Sequence, residues 1–329
     1  MIFKCKNCGG NTIYSPEKKS MFCPYCDSIN SEEKEEHIGQ ELRICPNCSG
    51  EVPVLEHAST TQCPYCDSYL IFDERVTGQY MPKKMIPFQM GKESCKQALR
   101  DKFKKNIFAP TDFLSEARLN SMQGIYVPFW FYDYNTNVDF VGEATKVKSW
   151  TTGSTRYTET SYYNVVRNMD IHFKGVPVDA SIQMPDDVMD LVEPYTYAQL
   201  EDFKPEYLSG FLAEKYNMTA DLVESRANQK MDSDAKQMLN ESVAGYGSVK
   251  SVRKQIVVRD SSSWYGLLPV WKYNYKYKDK EYPFYVNGQT GKIVGTAPLS
   301  KTKIGVYSTT LWALMTAIML LINSIFRLI

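Results

Sequence analysis

The chain has 329 residues, 43% hydrophobic and 23% charged, with 38 Lys and Arg balancing 38 Asp and Glu. That length suits two or three domains, and the composition permits packed cores rather than a disordered or fibrous chain. A formal charge of zero argues against a duplex-binding protein, whose affinity draws on a basic excess that neutralises phosphate.

Eight of the nine cysteines lie in the first 66 residues, as four Cys-x-x-Cys pairs. No apolar signal-peptide core precedes them, which points to a reducing compartment where thiols stay free for metal. The pairs repeat with a period of 40 residues, and Cys23-Pro-Tyr-Cys26-Asp-Ser28 returns as Cys63-Pro-Tyr-Cys66-Asp-Ser68. Two ribbon units are expected, at 1–30 and 43–75, joined by an acidic linker at 31–42. In the first unit, Thr12–Ser15 and Ser20–Phe22 read as paired strands; in the second, Glu51–Leu55 and Ser59–Gln62 take those parts. The small residues Gly9, Gly10, Ser49 and Gly50 let backbone amides fold back onto the thiolates.

A unit of about thirty residues cannot bury a core, so metal must supply its folding energy. Cys5, Cys8, Cys23 and Cys26 are the expected ligands of one Zn2+, and Cys45, Cys48, Cys63 and Cys66 of a second. Four thiolates leave no open coordination position, so both sites would be structural. The competing readings are redox-active or disulfide-linked cysteines, and a cross-braced arrangement. Each repeat already holds a complete ligand set, which favours sequential sites. Residues 1–80 carry seven Lys and Arg against twelve Asp and Glu, a formal −5. Two tetrathiolate zincs would bring this to about −9, a surface suited to protein contact rather than to phosphate.

Residues 83–300 read as an α+β domain. A helix over 92–105 aligns Cys95, Leu99 and Phe103 on one stripe, which makes Cys95 a core thiol rather than a ninth ligand. Strands are expected at 124–135, 137–149, 155–166, 168–178, 249–259, 266–278, 281–287 and 290–296. Pro128, Trp130, Tyr132 and Tyr134 recur as Pro269, Trp271, Tyr273 and Tyr275, a weak internal repeat with aromatics on one strand face. Such a face is either core or a ligand-binding stack, and core is the commoner outcome. Pro185-Asp186-Asp187 reads as a helix start, with a carboxylate cluster including Asp190 as the alternative. Thr219 can cap a long helix running to about 243, with a stripe of Leu222/Val223, Ala227, Met231, Ala235 and Leu239. Asn287-Gly288 marks a tight hairpin turn.

Residues 304–329 form an apolar run in which only Arg327 is charged. As a helix it is long enough to cross a ~30 Å hydrocarbon layer; a buried core helix is the alternative. Tyr307 and Trp312 suit the entering interface, and Arg327 can snorkel at the far side. Lys301 and Lys303 precede the run, which places the large N-terminal part in the cytoplasm of a single-pass, tail-anchored protein in the cell membrane.

No catalytic constellation emerges. His57 and His172 stand in no motif, no His-Glu-x-x-His exists, and Gly91-Lys92 and Gly291-Lys292 lack the rest of a phosphate loop. The chain does not read as an enzyme.

The paired CPYCDS ribbons, Val127-Pro-Phe-Trp-Phe-Tyr-Asp133, Tyr207-Leu-Ser-Gly-Phe-Leu-Ala-Glu-Lys-Tyr216, Leu268-Pro-Val-Trp271 and Val286-Asn-Gly-Gln-Thr-Gly-Lys-Ile-Val-Gly295 resemble the bacterial TFIIB-type zinc-ribbon membrane proteins. The likeness covers nearly the whole chain. Members are often labelled replication-restart helicase-like, but this chain lacks every helicase motif. YdjG-type members belong to a membrane-stress module with PspA and an SPFH-domain protein. The resemblance implies a membrane adaptor that recruits PspA-like and SPFH-domain partners, in a homo- or hetero-oligomer. The alternative is a replication or transcription factor whose ribbons touch nucleic acid, a partner the charge disfavours.

Overall fold

The computed structural model describes residues 1–35 and 44–328, with side chains up to residue 324. Residues 36–42 of the expected linker and the side chain of Arg327 lie outside the described residues. The architecture is α+β: two cysteine clusters near the N-terminus, a sheet-rich centre and one C-terminal apolar helix.

The first ribbon contains β1 (Ile2–Cys5), the hairpin β2 (Ile13–Ser15) and β3 (Ser20–Phe22), and β4 (Glu32–Glu35). The expected hairpin forms, with Tyr14 opposite Met21. Glu32–Glu35, read from sequence as solvated linker, instead pairs antiparallel with β1 while three of its four residues stay exposed. The second ribbon differs from expectation. Its hairpin joins β5 (Thr60–Gln62) to β6 (Tyr69–Ile71), beyond the last cysteine pair. Glu51–Leu55 contributes only an isolated bridge from Glu51 to Ile44. Pro53 removes a ladder donor in that segment, which is enough to lose so short a strand.

In chain order the centre comprises β7 (Lys84–Met85), α1 (Lys92–Phe103), α2 (Glu116–Leu119), β8 (Gln123–Thr152), β9 (Thr155–Asp179), α3 (Asp186–Val192), β10 (Glu201–Asp202), β11 (Leu212–Ala213), α4 (Ala220–Ser242), β12 (Ser248–Tyr277), β13 (Lys280–Asn287) and β14 (Ile293–Val294); α5 (Lys301–Leu328) follows. β8 is the axis of the sheet, antiparallel to both β12 and β9. Three pairs of expected strands fuse into single long strands. The polar run Asn135-Thr136-Asn137 does not interrupt β8, because the pleat buries Thr136 and turns both asparagines outward to side-chain partners on β9.

The aromatic repeat proves to be a duplication of structure. β8 and β12 pair about a pseudo-twofold point at Val127 opposite Leu268, both fully buried. β7 lies parallel to β12 at Gly266–Leu267, and β11 lies parallel to β8 at Ile125–Tyr126 in the equivalent place. Trp130 Nε1 donates to the Met218 carbonyl just before α4, and Trp271 Nε1 donates to the Met90 carbonyl just before α1, both at 2.9 Å. Each half's tryptophan therefore holds the helix start of the other half.

The repeated aromatics are core. Tyr126, Trp271, Tyr273 and Tyr275 pack with Cys95, Leu99 and Phe103 of α1 on one face. Ile125, Val127, Phe129 and Phe131 pack with Met189 and Val192 of α3 on the other. Burial on both faces accounts for the near-continuous apolar run at 125–132. α4 lies along the outer part of β8 and β9, burying Val223, Ala227, Met231, Ala235 and Leu239, while Leu222 points to water.

Thr219 holds the N-cap position of α4, with extended backbone, but its hydroxyl makes no capping hydrogen bond. Thr219→Ala is therefore expected to change stability by less than about 0.5 kcal/mol, against the ~1 kcal/mol of a working cap. Thermal unfolding of the two proteins measures this, and a full cap-sized loss would contradict the geometry.

Asn287-Gly288 is not a two-residue turn. β13 pairs with β14 across a longer loop, in which the buried Asn287 Oδ1 accepts from the backbone N–H of Gln289 and Thr290. The left-handed position is Gly291, with φ +76°, and Gly288 is needed for a different reason. A Cβ there would lie 2.7 Å from the Phe88 ring and 2.8 Å from Pro269.

Candidate metal centres

Each Cys-x-x-Cys pair is a tight turn whose next residue takes a left-handed backbone: Gly9 (φ +72°), Asp27 (+59°), Ser49 (+59°) and Asp67 (+58°). Gly and Asp tolerate this conformation better than most residues. The turn closes as that residue's N–H donates to the carbonyl of the first cysteine, at 2.8–3.0 Å in all four. The first cysteine of every pair is buried; the second is exposed in three pairs and half-buried, as Cys66, in the fourth.

These turns bring together Cys5, Cys8, Cys23 and Cys26 at one place and Cys45, Cys48, Cys63 and Cys66 at another, as two sequential sets and not a cross-brace. Sulfur–sulfur distances are 3.6 Å (Cys5–Cys26), 3.5 Å (Cys8–Cys23), 3.7 Å (Cys45–Cys66) and 3.6 Å (Cys48–Cys63), and all sulfurs of a group lie within 4.8 Å of one another. A disulfide needs about 2.05 Å. A tetrahedron with 2.3 Å metal–sulfur bonds has edges of about 3.8 Å, so both groups can hold a metal ion and are compatible with zinc.

Hydroxyls complete the surroundings, and sequence reasoning passed over them. Ser28 Oγ lies 3.0 Å from Cys26 Sγ, Ser68 Oγ 3.1 Å from Cys66 Sγ, and Ser31 Oγ 3.2 Å from Cys5 Sγ. The signal for the first two was present in the repeated Cys-Asp-Ser. The Ser31 hydroxyl outweighs desolvation and, with the amides of Cys8 and Asn7, pulls the Cys5 thiol down to about 6, whereas at Cys8 the Gly10 amide is outweighed by the Cys26 and Cys23 sulfurs, which push that thiol up to about 12.

The ribbons are built into the body. Tyr14 N–H donates to the Ser209 carbonyl, Ser209 Oγ to the Thr12 carbonyl, Ser59 N–H to the Ala213 carbonyl and Thr60 Oγ1 to the Phe211 carbonyl. The segment Tyr207–Tyr216 thus holds both ribbons at once, and Phe3, Tyr14, Met21 and Ile71 join the same core as Tyr126 and Trp271. The ribbons are also joined to each other, since Ile2 of the first packs with Cys45, Val52, Cys63 and Leu70 of the second. Tyr25 and Tyr65, equivalent residues inside the two Cys-Pro-Tyr-Cys turns, remain 68% and 70% exposed.

The other candidate residues stand apart from these centres. Cys95 is fully buried in the apolar core, where desolvation, with Glu17 adding, pushes its thiol up to about 12. His57 lies in a ribbon loop whose backbone carbonyl accepts from Lys215 N–H, and His172 Nδ1 lies 2.6 Å from Asn135 Oδ1 on the neighbouring strand. Asp186, the first residue of α3, and Asp190 converge on Arg226 together with the buried Asp179, while Asp187 lies beside Asp186 in the first turn. α5 has a 24-residue stretch, Lys301–Ser324, long and apolar enough to cross a membrane, and none of it is buried against the body.

The chain is 41% identical over 315 residues to the uncharacterized protein YdjG of Bacillus subtilis strain 168, across 93% of this chain and 92% of that one. No protein-family model matches the chain. No solved structure matches it.

Proposed function

The chain belongs to the family of Bacillus subtilis YdjG, and from that premise we propose that it is a membrane-anchored adaptor whose zinc-stiffened head faces the cytoplasm and recruits proteins. The observation that carries the reading is the pairing of an apolar helix, with no buried residue over Lys301–Ser324, with a single fused head. A free apolar helix of this length costs too much in water and is at home in a bilayer. Lys301 and Lys303 before the span favour a cytoplasmic head.

Both tetrathiolate groups hold Zn2+ in this reading, with Cys5, Cys8, Cys23 and Cys26 on one ion and Cys45, Cys48, Cys63 and Cys66 on the other. The metal supplies folding energy, and the chain supplies the recognition surface. Exposed Tyr25 and Tyr65 at the ribbon tips suit protein contact, as aromatics with a polar handle do at interfaces. Partners of the PspA-like and SPFH-domain kinds follow from the TFIIB-type ribbon resemblance. The acidic charge of residues 1–80 stands against a nucleic-acid role, and no catalytic role is proposed.

Deleting residues 304–329 is expected to move the protein wholly from the carbonate-washed membrane fraction to the soluble fraction; retention in membranes would remove the anchor from the reading. Crosslinking in native membranes followed by mass spectrometry tests the adaptor role. Recovery of neither partner class, or salt-sensitive DNA binding by the full chain in a mobility-shift assay, would count against it.

A further inference from the structure

Where α5 leaves the body, it does not leave alone. The loop between α1 and α2 runs beside its first turns: Ser300 N–H donates to the Phe108 carbonyl at 2.8 Å, and the Phe108 ring meets Tyr307 edge-on with centroids 5.4 Å apart. Ile107 and Phe108 face Val306, Tyr307 and Thr310 across a shallow, mostly apolar groove of about 330 Å³. Ile107 is 59% exposed, and Leu299 just before the helix is 61% exposed.

The depth of this loop follows from α5 itself. The uncharged part of the helix lies between Lys303 and Arg327. At 1.5 Å per residue it is about 35 Å long, only slightly more than a hydrocarbon core of ~30 Å. If α5 spans the membrane, the interface falls within about one turn of Lys303. The helix residues lining the groove with Ile107 and Phe108 run from Thr302 to Thr310, on both sides of that level, so the loop lies at the interface. Its charges agree with that depth. Lys104 and Lys105 precede Ile107, and Lys301 and Lys303 stand on the helix; Lys105 and Lys301 are exposed. Asp101 pairs with Lys104 at 3.1 Å.

We propose that the loop Lys104–Phe108 is a second membrane contact, with Ile107 inserted at the headgroup–acyl boundary and Lys104, Lys105, Lys301 and Lys303 engaging anionic lipid headgroups. The proposal rests on the reading of α5 as a membrane span. An apolar tip flanked by lysines is the arrangement that interfacial anchors use, and each lysine near the surface adds attraction to an anionic leaflet. A helix alone leaves its head free to swivel. Two contacts, joined by the Ser300–Phe108 hydrogen bond, fix the tilt of the sheet and ribbons over the bilayer.

The test uses the zinc-loaded full chain in vesicles of phosphatidylcholine with about one third phosphatidylglycerol. The photo-crosslinking residue p-benzoylphenylalanine is placed in turn at Ile107, at the exposed Leu314 in α5 and at Ile182, an exposed residue between β9 and α3. Lipid adducts at Ile107 and Leu314 but not at Ile182 are expected. In a Lys104→Glu/Lys105→Glu background the Ile107 adduct should fall several-fold, with the Leu314 adduct unchanged. An adduct at Leu314 with none at Ile107, or equal capture at Ile182, overturns the loop contact and leaves the span standing. Undiminished capture at Ile107 in the double variant overturns the headgroup role. No adduct at Leu314 removes the span, and the loop contact with it.

Discussion

Cys63→Ser is expected to leave the protein with one zinc instead of two and to unfold the second ribbon. The Cys63 side chain is fully buried, and its sulfur stands 3.6 Å from that of Cys48 in a four-sulfur group. A ribbon of this size has almost no core of its own: Val52 and Leu70, with the two buried cysteines, are its buried apolar centre, and Ile2 is borrowed from the first ribbon. The metal term, on the order of 10 kcal/mol, exceeds anything so few side chains supply. Damage should spread beyond the second ribbon, because the two ribbons share a cluster. Loss of the second ribbon uncovers Ile2 and frees the Met1 carbonyl, which accepts from Ile71 N–H at 3.0 Å, so protease sensitivity should rise at the start of the chain as well as over residues 44–72. Cys23→Ser should also lose one zinc, but its cleavage should centre on the first ribbon. Elemental analysis and limited proteolysis measure both effects. Two zincs retained in Cys63→Ser, with an unchanged cleavage pattern, would sink the assignment.

Arg226→Ala is expected to cost about 3–5 kcal/mol, because it strands a charge that has no access to water. Asp179 is fully buried at the end of β9; its Oδ1 is 2.9 Å from Arg226, and its Oδ2 has no hydrogen-bond partner among the described residues. Arg226 also meets Asp186 at 3.0 Å and Asp190 at 3.5 Å, tying α4 to α3. Burial raises the Asp179 carboxyl to about 6 even with Arg226 opposing it. A folded value above the unfolded one means that Asp179 costs nothing below pH 4 and subtracts stability as pH rises from about 4 to 6. Without the arginine its folded value climbs further, so the penalty is largest at neutral pH and shrinks in acid. Thermal unfolding of the full chain in detergent should show a midpoint lower by on the order of 10 °C at pH 7 and by much less at pH 5. Asp179→Asn added to Arg226→Ala should recover most of the loss. A deficit that is equal at both pH values would mean that Arg226 acts through packing alone.

Much of this was legible in the residues. Eight cysteines, four in each of two 40-residue periods, declare two groups able to hold metal, because a metal site is a local, short-range arrangement that spacing and turn chemistry determine. The stripe of α4 needed only helical periodicity, and its one ambiguity, Leu222 against Val223, was which of two neighbours faces the sheet. The apolar run of α5 needed only length and composition. The second ribbon's hairpin was misplaced because analogy with the first outweighed the missing donor of Pro53. The fused strands were misread because a polar triplet looks like a break until the pleat assigns each side chain to a face.

Sequence by itself determined the two four-cysteine groups, the amphipathic faces and the apolar terminal helix, since each depends on residues close together in the chain. The tertiary structure alone decided that the ribbons are fixed parts of the head. Their attachment to Tyr207–Tyr216 runs largely through backbone N–H and carbonyl groups, which every residue but proline carries and no residue pattern displays. It likewise decided that the aromatic repeat is two interlocked halves, each tryptophan bonded to the other half's helix start. A pairing between segments more than eighty residues apart leaves no local trace, because its geometry exists only once both halves are packed.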